Sequence, residues 1–349
     1  MKAMVLTDLN AMEMADVEDV HVSSDSDVLL QVGPVGICGS DVHYYESGRI
    51  GSKVVQYPYR VGHEFAGTVL EVGKAVTRMK PGDRVAVDPA MPCYTCDQCK
   101  IGREHTCRNL RFLGCPGQAE GCLSEYIVMP EASCFPVGPD TSLEHAAIAE
   151  PLSIGVYAVV LAGSMKGARV GILGCGPIGL CVMLAAIAEG AESVYVTDKI
   201  DERLVQASKS GAAWVGNPDK VDAVREIADC EPQLLDYVFE CCGQQDAIDQ
   251  ALQLCKPGGK LLIVGIPRED RFSFHVDSMR HKEICVQNVR RQNQCMQPAL
   301  DLIESGRMPV DFMITHHYAF EASKEGFDLV ASYQDGVIKA MIQVGANER

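Results

Sequence analysis

The stretch RVGILGCGPIGLCVMLAAIAEGAESVYVTD, residues 169–198, constrains the fold more than any other. An apolar strand-like run leads into three glycines, Gly174, Gly176 and Gly179. A long apolar helical segment follows, then a second apolar run ending at Asp198. Strand, helix and strand in that order define a βαβ unit and hence a parallel sheet. In such a turn the first glycine gives the tight bend, the second lets a pyrophosphate approach the backbone, and the third lets helix and strand pack closely. Pro177 and Ile178 open the helix, whose unpaired N–H groups and dipole favour a phosphate. Asp198 stands 19 residues beyond Gly179. A carboxylate there accepts hydrogen bonds from ribose hydroxyls and repels a 2′-phosphate, which favours NAD over NADP. Lys199 and Arg203 follow closely and would soften that discrimination. The competing reading is a doubly wound domain whose glycines serve packing alone.

The same alternation continues through LDYVFECCG, the helical QDAIDQALQLC and the strand GKLLIVG, extending the parallel sheet over roughly residues 155–285. Residues 1–150 read differently. KAMVLT, DVLLQVG, EFAGTVLEVG, DRVAVDP and SEYIVMP are short β segments separated by turn residues, which predicts a compact, barrel-like β domain. A chain of 349 residues accommodates both. After EICVQNV come a helix, MQPALDLIESG, and a last strand, GVIKAMIQVG.

A net charge of −16 argues against a sequence-independent grip on nucleic acid or anionic lipid, both of which demand positive surface. No run of about 20 uninterrupted apolar residues predicts a membrane span, and the N-terminus enters strand-like residues with no leader pattern. A cytoplasmic location is expected.

The chain has 16 cysteines, too long a chain and too many scattered thiols for a secreted disulfide scaffold. Cys175, Cys181, Cys241, Cys242, Cys255 and Cys285 read as small buried hydrophobes. CYTCDQCKIGREHTC is another matter. Cys93, Cys96, Cys99 and Cys107 have the spacing of a closed tetrahedral thiolate site, which suits structural Zn²⁺, with an iron–sulfur cluster as the alternative. His105 within this lobe reads as a surface imidazole. A second cluster opens with VGICGSDVHYYESGRIG and YRVGHEFAG, read as glycine-rich loops that bring groups to one point. Cys38, His63 and Glu64, joined by Glu150 of AIAEPLSIGVY, offer the soft, borderline and hard donors of a catalytic zinc with an open position, or else His63 and Glu64 hydrogen-bond a turn.

GICGSDVH, GHEFAG, the four-cysteine lobe, AEPLSIG, GCGPIG with Asp198, and THHYAFEASKEGFDLV together resemble the zinc-dependent medium-chain dehydrogenase/reductase superfamily from end to end. GICGSDVHYYESGRIG and AEPLSIGVYA are most similar to its sorbitol/xylitol (L-iditol 2-dehydrogenase) polyol group. The resemblance implies a GroES-like catalytic domain, residues 1–152 and 288–349 with a structural-zinc lobe at 90–110, and a Rossmann NAD-binding domain at 153–287. It also implies two zinc ions per chain, one catalytic and one structural. Cys38 and His63 would ligate the catalytic ion. Glu64 would be a direct or intermittent ligand, and Glu150 a ligand or a partner of its water. Ser40 and His43 would pass the substrate proton outward. Tyr44, Glu150 and Arg290 would hold neighbouring hydroxyls of a small polyol, and a homodimer or homotetramer is expected.

Three departures matter. A glutamate, Glu150, stands where liver-type alcohol dehydrogenases have cysteine. All four lobe cysteines are present, unlike in animal sorbitol dehydrogenases. VRRQN replaces an FRYxN-like stretch, so Arg290 carries over while the next aromatic becomes Arg291. Rival readings are an L-threonine 3-dehydrogenase, a non-catalytic relative, and a zinc-ribbon nucleic-acid module. Retention of Cys38, His63 and Glu64 opposes the second, and the acidic balance opposes the third. His316 and His317, adjacent on a strand, face opposite sides and read as structural.

Overall fold

The computed structural model describes residues 1–267 and 269–345 and divides into two compact units, residues 1–150 with those from 299 onward, and residues 151–298. The first is built on a seven-stranded sheet. Its order is Cys134–Pro136, Arg84–Val87, Glu64–Val72, Asp27–Gly36, Lys339–Gln343 and Ile314–Ala319, with Tyr126–Pro130 also paired to Asp27–Gly36. The ten-residue strand Asp27–Gly36 is the hub. Its alternating first half, DVLLQV, pairs with Tyr126–Pro130, and its fully buried end pairs with the chain's last strand through Met341↔Gly36, Ile342↔Val35 and Gln343↔Pro34. A register shift between Val32 and Val35 on the Glu64–Val72 side redirects the strand. Leu30, Val32, Phe65, Val85, Leu123 and Met129 fill the core beneath.

The tail therefore rejoins the β-rich unit, which periodicity alone does not reveal. The second boundary falls at Pro298/Ala299, later than the expected residue 288. Strand Cys285–Asn288 is hydrogen-bonded into the second sheet, and Val289 N–H still donates to Ile263 O at 2.9 Å, so the chain stays with that sheet past 288.

The second unit carries six parallel strands in the order Trp214–Gly216, Ser193–Thr197, Arg169–Leu173, Leu235–Glu240, Cys255–Ile263, Cys285–Asn288. Numbered along the chain this is 3-2-1-4-5-6, and the order reverses between Arg169–Leu173 and Leu235–Glu240. Open sheets of this kind bind ligands outside the carboxyl ends of the strands at that reversal. Helix Pro177–Ala188 buries every residue from Gly179 to Ala186, which explains its lack of a polar face.

One local expectation is corrected first. GSDVHYYES is a helix, Gly39–Ser47, and not a loop: Cys38 caps it in extended conformation, and Gly48 ends it at φ 65°. The glycines thus bound a helix, with Gly48 in the left-handed cap that favours glycine. AIAEPLSIGVY lies within a twenty-residue helix, Leu143–Ala162, long and apolar enough to cross a membrane. It is mostly buried in the protein and interrupted by Glu144 and Glu150, as a core helix is.

None of the 16 cysteines forms a disulfide. Cys175, Cys181 and Cys255 are buried as expected, but Cys242 and Cys285 are exposed and Cys241 only half-buried. Cys241 and Cys242 lie just beyond strand Leu235–Glu240, in the loop that follows it, and Cys285 opens the strand at the sheet's edge. His105 is also corrected: it is buried within the lobe at 5% exposure. His316 pairs with Asp335 at 3.2 Å and His317 with Glu144 at 3.0 Å, as adjacent residues of a strand facing opposite ways.

Candidate metal and cofactor sites

In the first unit, Cys38 caps helix Gly39–Ser47, while His63 and Glu64 sit where the chain enters strand Glu64–Val72. Gly36 and Glu64 are registered partners across the sheet, so pairing brings the two segments together. One ligand atom from each of Cys38, His63 and Glu64 lies within 4.8 Å of the others. His63 and Glu64 are buried, at 5% and 2% exposure.

Asp41 is a residue that sequence reasoning left without a role. Its carboxylate is completely buried, and Oδ1 lies 3.3 Å from His63 Nδ1 while accepting Gly62 N–H at 3.2 Å. Oδ2 has no hydrogen-bond partner among the described residues. Nδ1 makes no hydrogen bond of good geometry among the described residues, but a carboxylate at this distance favours the tautomer that leaves Nε2 as the lone-pair donor, the usual support for a metal-binding histidine.

Electrostatics at this cluster favour a cation. Burial disfavours the His63 imidazolium, yet Asp41 and Cys38 outweigh it and raise the imidazole pKa. Burial, with Glu64 beside it, raises the Cys38 thiol. Glu150, from helix Leu143–Ala162, is pushed up to about 8 by burial, reinforced by Glu64 and Asp88 and opposed by His63 and Lys339. Thiol, imidazole and carboxylates crowded together are the donor classes that zinc takes, and a divalent ion would offset the repulsion among the ionised ones. The cluster fits zinc. Ser40 Oγ donates to Cys38 Sγ at 3.3 Å, and His43 lies half-buried on the same helix. Tyr44 is a core residue, 5% exposed, whose hydroxyl donates to Cys115 Sγ at 3.9 Å.

The lobe cysteines meet as the spacing predicts. Cys93–Cys107, Cys96–Cys99 and Cys96–Cys107 sulfurs are 3.4, 3.6 and 3.9 Å apart, and all four lie within 4.8 Å of one another. A tetrahedron with Zn–S bonds of 2.3 Å has edges of about 3.8 Å. Four sulfurs this close enclose a single ion, which speaks against a multi-iron cluster. Thr95 hydroxyl and the backbone N–H groups of Thr95 and Cys96 hold the Cys93 thiol down to about 5. Burial among Cys96 and Cys107 pushes Cys99 up to about 12.

In the second unit the glycine turn follows strand Arg169–Leu173 directly. Gly174 has φ 99°, and a Cβ there would meet Cys242 Cβ at 2.9 Å. A Cβ on Gly179 would lie 1.9 Å from Gly174 O. Pro177 begins the helix, with Ile178 next. Asp198 spans the turn: Oδ2 accepts Cys175 N–H at 2.6 Å and Oδ1 accepts Ile200 N–H at 2.8 Å. Arg203 is buried, with Nη1 3.5 Å from where a Gly176 Cβ would stand, whereas exposed Lys199 pairs with Asp219 at 2.9 Å. Only Arg203 of that pair lies at the turn.

Glu240 was missed altogether. Completely buried at the end of its strand, it accepts Cys242 N–H and Gly243 N–H on Oε1 at 2.8 and 2.5 Å, fixing the loop that packs on Gly174. Arg290 is exposed in this unit, and Arg291 is half-buried at φ 53°.

A β-rich unit with a thiol–imidazole–carboxylate cluster and a four-thiol lobe, and a doubly wound sheet with a glycine turn, together suit a metal- and nucleotide-binding enzyme. Comparison with known proteins agrees. Residues 24–139 match the alcohol dehydrogenase GroES-like domain and residues 177–305 the zinc-binding dehydrogenase family. Sorbitol dehydrogenase of Bacillus subtilis (strain 168) is 34% identical over 343 residues, covering 98% of this chain and 97% of that one. An Escherichia coli oxidoreductase/dehydrogenase of unknown specificity superposes with a TM-score of 0.93 at 31% identity, covering 99% of both chains. A zinc-binding dehydrogenase of Sinorhizobium meliloti 1021, solved bound to NADP, has a TM-score of 0.90 at 29% identity, covering 98% of this chain and 99% of that one. The chain belongs to the zinc-dependent medium-chain dehydrogenase/reductase superfamily, with a GroES-like β unit and a Rossmann unit. It is an oxidoreductase of that family, similar within it to the sorbitol and xylitol dehydrogenase group.

Proposed function

We propose that the protein oxidises a secondary hydroxyl of a small polyol of the sorbitol, xylitol or L-iditol type to the ketone, with NAD as hydride acceptor. The observation that carries this reading is the convergence of half-buried Cys38 with buried His63 and Glu64 on one point. Cys38 and His63 would hold zinc with Glu64 or Glu150, and the lobe cysteines would hold a second ion. The chemistry such an ion supplies is Lewis acidity toward a substrate hydroxyl. Ser40, beside Cys38, takes the released proton, and His43, three residues on along one helix face, relays it toward solvent. Asp41 holds the His63 ring in place throughout. Asp198 at the turn supports NAD, and Arg203 beside Gly176 is the group that would admit a 2′-phosphate.

The test is metal analysis, expecting about two zinc per chain, with turnover of sugar alcohols and of threonine against NAD and NADP. Cys38→Ser and His63→Ala should abolish turnover and leave NADH binding intact. Full activity after demetallation would end this reading, and unchanged cofactor preference in Asp198→Ala would end the assignment to NAD.

We also propose a homo-oligomer. Strand Cys285–Asn288 has a strand partner on one side only among the described residues, and the preceding helix, Val276–Lys282, buries none of its residues. An open sheet edge invites pairing with another copy.

A further inference from the structure

Glu240 brings a charge into the second unit that its hydrogen bonds do not require. It ends strand Leu235–Glu240 with no exposed surface. Oε1 accepts the N–H groups of Cys242 and Gly243, and the backbone O accepts those of Val264 and Gly265 at 2.8 and 3.0 Å. The loops after two paired strands are thereby tied at one point. Oε2 has no hydrogen-bond partner among the described residues and faces Gly265, where a Cβ would stand 2.9 Å away. One amide oxygen would accept the same two N–H groups, so a glutamine would close this loop as well. A carboxylate adds a full negative charge taken out of water, which costs stability unless something uses it. Burial first, and Glu240 second, push the Cys242 thiol up, so the charge is felt at the exposed residue of the loop.

The place of the charge in the sheet supplies its use. Arg169–Leu173, which runs into the glycine turn, and Leu235–Glu240 are the two strands between which the order reverses. A dinucleotide lies across such a reversal, with its pyrophosphate at the glycine turn. Asp198 marks the adenosine ribose on one side of the turn, so the nicotinamide half is directed to the other, the side that Glu240 opens. That ring is cationic when oxidised and neutral once it has gained a hydride. We infer that Glu240 is a specificity-determining residue for the redox state of the cofactor: its buried charge favours the oxidised form and so promotes release of the reduced one after each oxidation. The inference rests on the dinucleotide reading above. It holds equally for NADP, whose added phosphate is the same in both redox states.

The experiment measures dissociation constants of NAD and NADH for the full chain by calorimetry at low salt. Glu240→Gln should raise the ratio of the NAD constant to the NADH constant about fivefold. That is the size of effect one charge exerts across three strand spacings, about 15 Å, at an effective dielectric of ~20. Glu240→Asp keeps the charge and should hold the wild-type ratio even where both constants rise. A role confined to holding the loop moves both constants together, so an unchanged or lowered ratio in folded Glu240→Gln overturns the inference. So does a Glu240→Asp ratio equal to that of Glu240→Gln. If Glu240→Gln does not fold, Cys242→Lys sets a cation in the same loop at an exposed position. The ratio should rise there too, and an unchanged ratio overturns the inference. Failure of the wild-type chain to bind either nucleotide removes the dinucleotide reading itself.

Discussion

Asp41 and the glycines around it show how much a single position decides. The Asp41 carboxylate is spent on one ring nitrogen and one backbone N–H, with no solvent contact. Asp41→Asn keeps the shape and removes the charge that orients the imidazole. Metal affinity at the Cys38 cluster should fall by about 10–100-fold, read as zinc retained against graded chelator, while the lobe ion is unaffected. Gly179 is equally committed, because a methyl there would overlap Gly174 O at 1.9 Å. Gly179→Ala should displace the turn, cost about 1–3 kcal/mol or more, and weaken NADH binding measured by fluorescence titration. Unchanged NADH affinity would show that the third glycine serves packing alone.

At the scale of elements, the sequence was most legible where a period ran long. The βαβ run, the four-cysteine spacing and the strands of residues 1–150 all declared themselves. Helix Gly39–Ser47 did not, since a nine-residue helix bounded by glycines carries no apolar stripe and its Cys38 cap offers no side-chain hydrogen bond. Asp41, Glu240 and Lys339 were illegible for a different reason. Each is a buried charged residue whose partner only the fold reveals: Lys339 meets Glu64 275 positions away, and Glu240 turns back on the N–H groups of Cys242 and Gly243.

The lobe should behave as an independent element: Cys99→Ser should lower the thermal midpoint and abolish any further loss on chelation, since structural zinc contributes folding energy. At the opposite end of the Rossmann sheet from the glycine turn, Asp236 ties strand starts together, with Oδ2 on Arg169 N–H at 2.8 Å and Oδ1 on Lys256 at 2.5 Å. Burial works against its charge, but Lys256 and Arg169 outweigh it and hold the carboxyl below its usual range. A depressed folded pKa gives stability that is present above the unfolded value of about 3.9 and lost as pH falls through the folded value. Asp236→Asn should therefore have a lower urea midpoint than wild type at pH 7, and the gap should close in strong acid.

For the whole molecule, the open edge at Cys285–Asn288 makes assembly testable. Cys285→Lys combined with Val276→Glu, both at exposed positions, should reduce the sedimenting mass to that of one chain. An unchanged mass would place the contact elsewhere. The route of the chain has its own consequence. Cys38, His63, Glu64 and Glu150 are all made before the Rossmann unit, whereas Lys339 arrives after it. A growing or clipped polypeptide that stops short of the last strand would have the Glu64 carboxylate without the ammonium it pairs with. It would also leave the end of Asp27–Gly36 without its partner strand. Synthesis order therefore leaves the completion of this buried cluster to the final residues made.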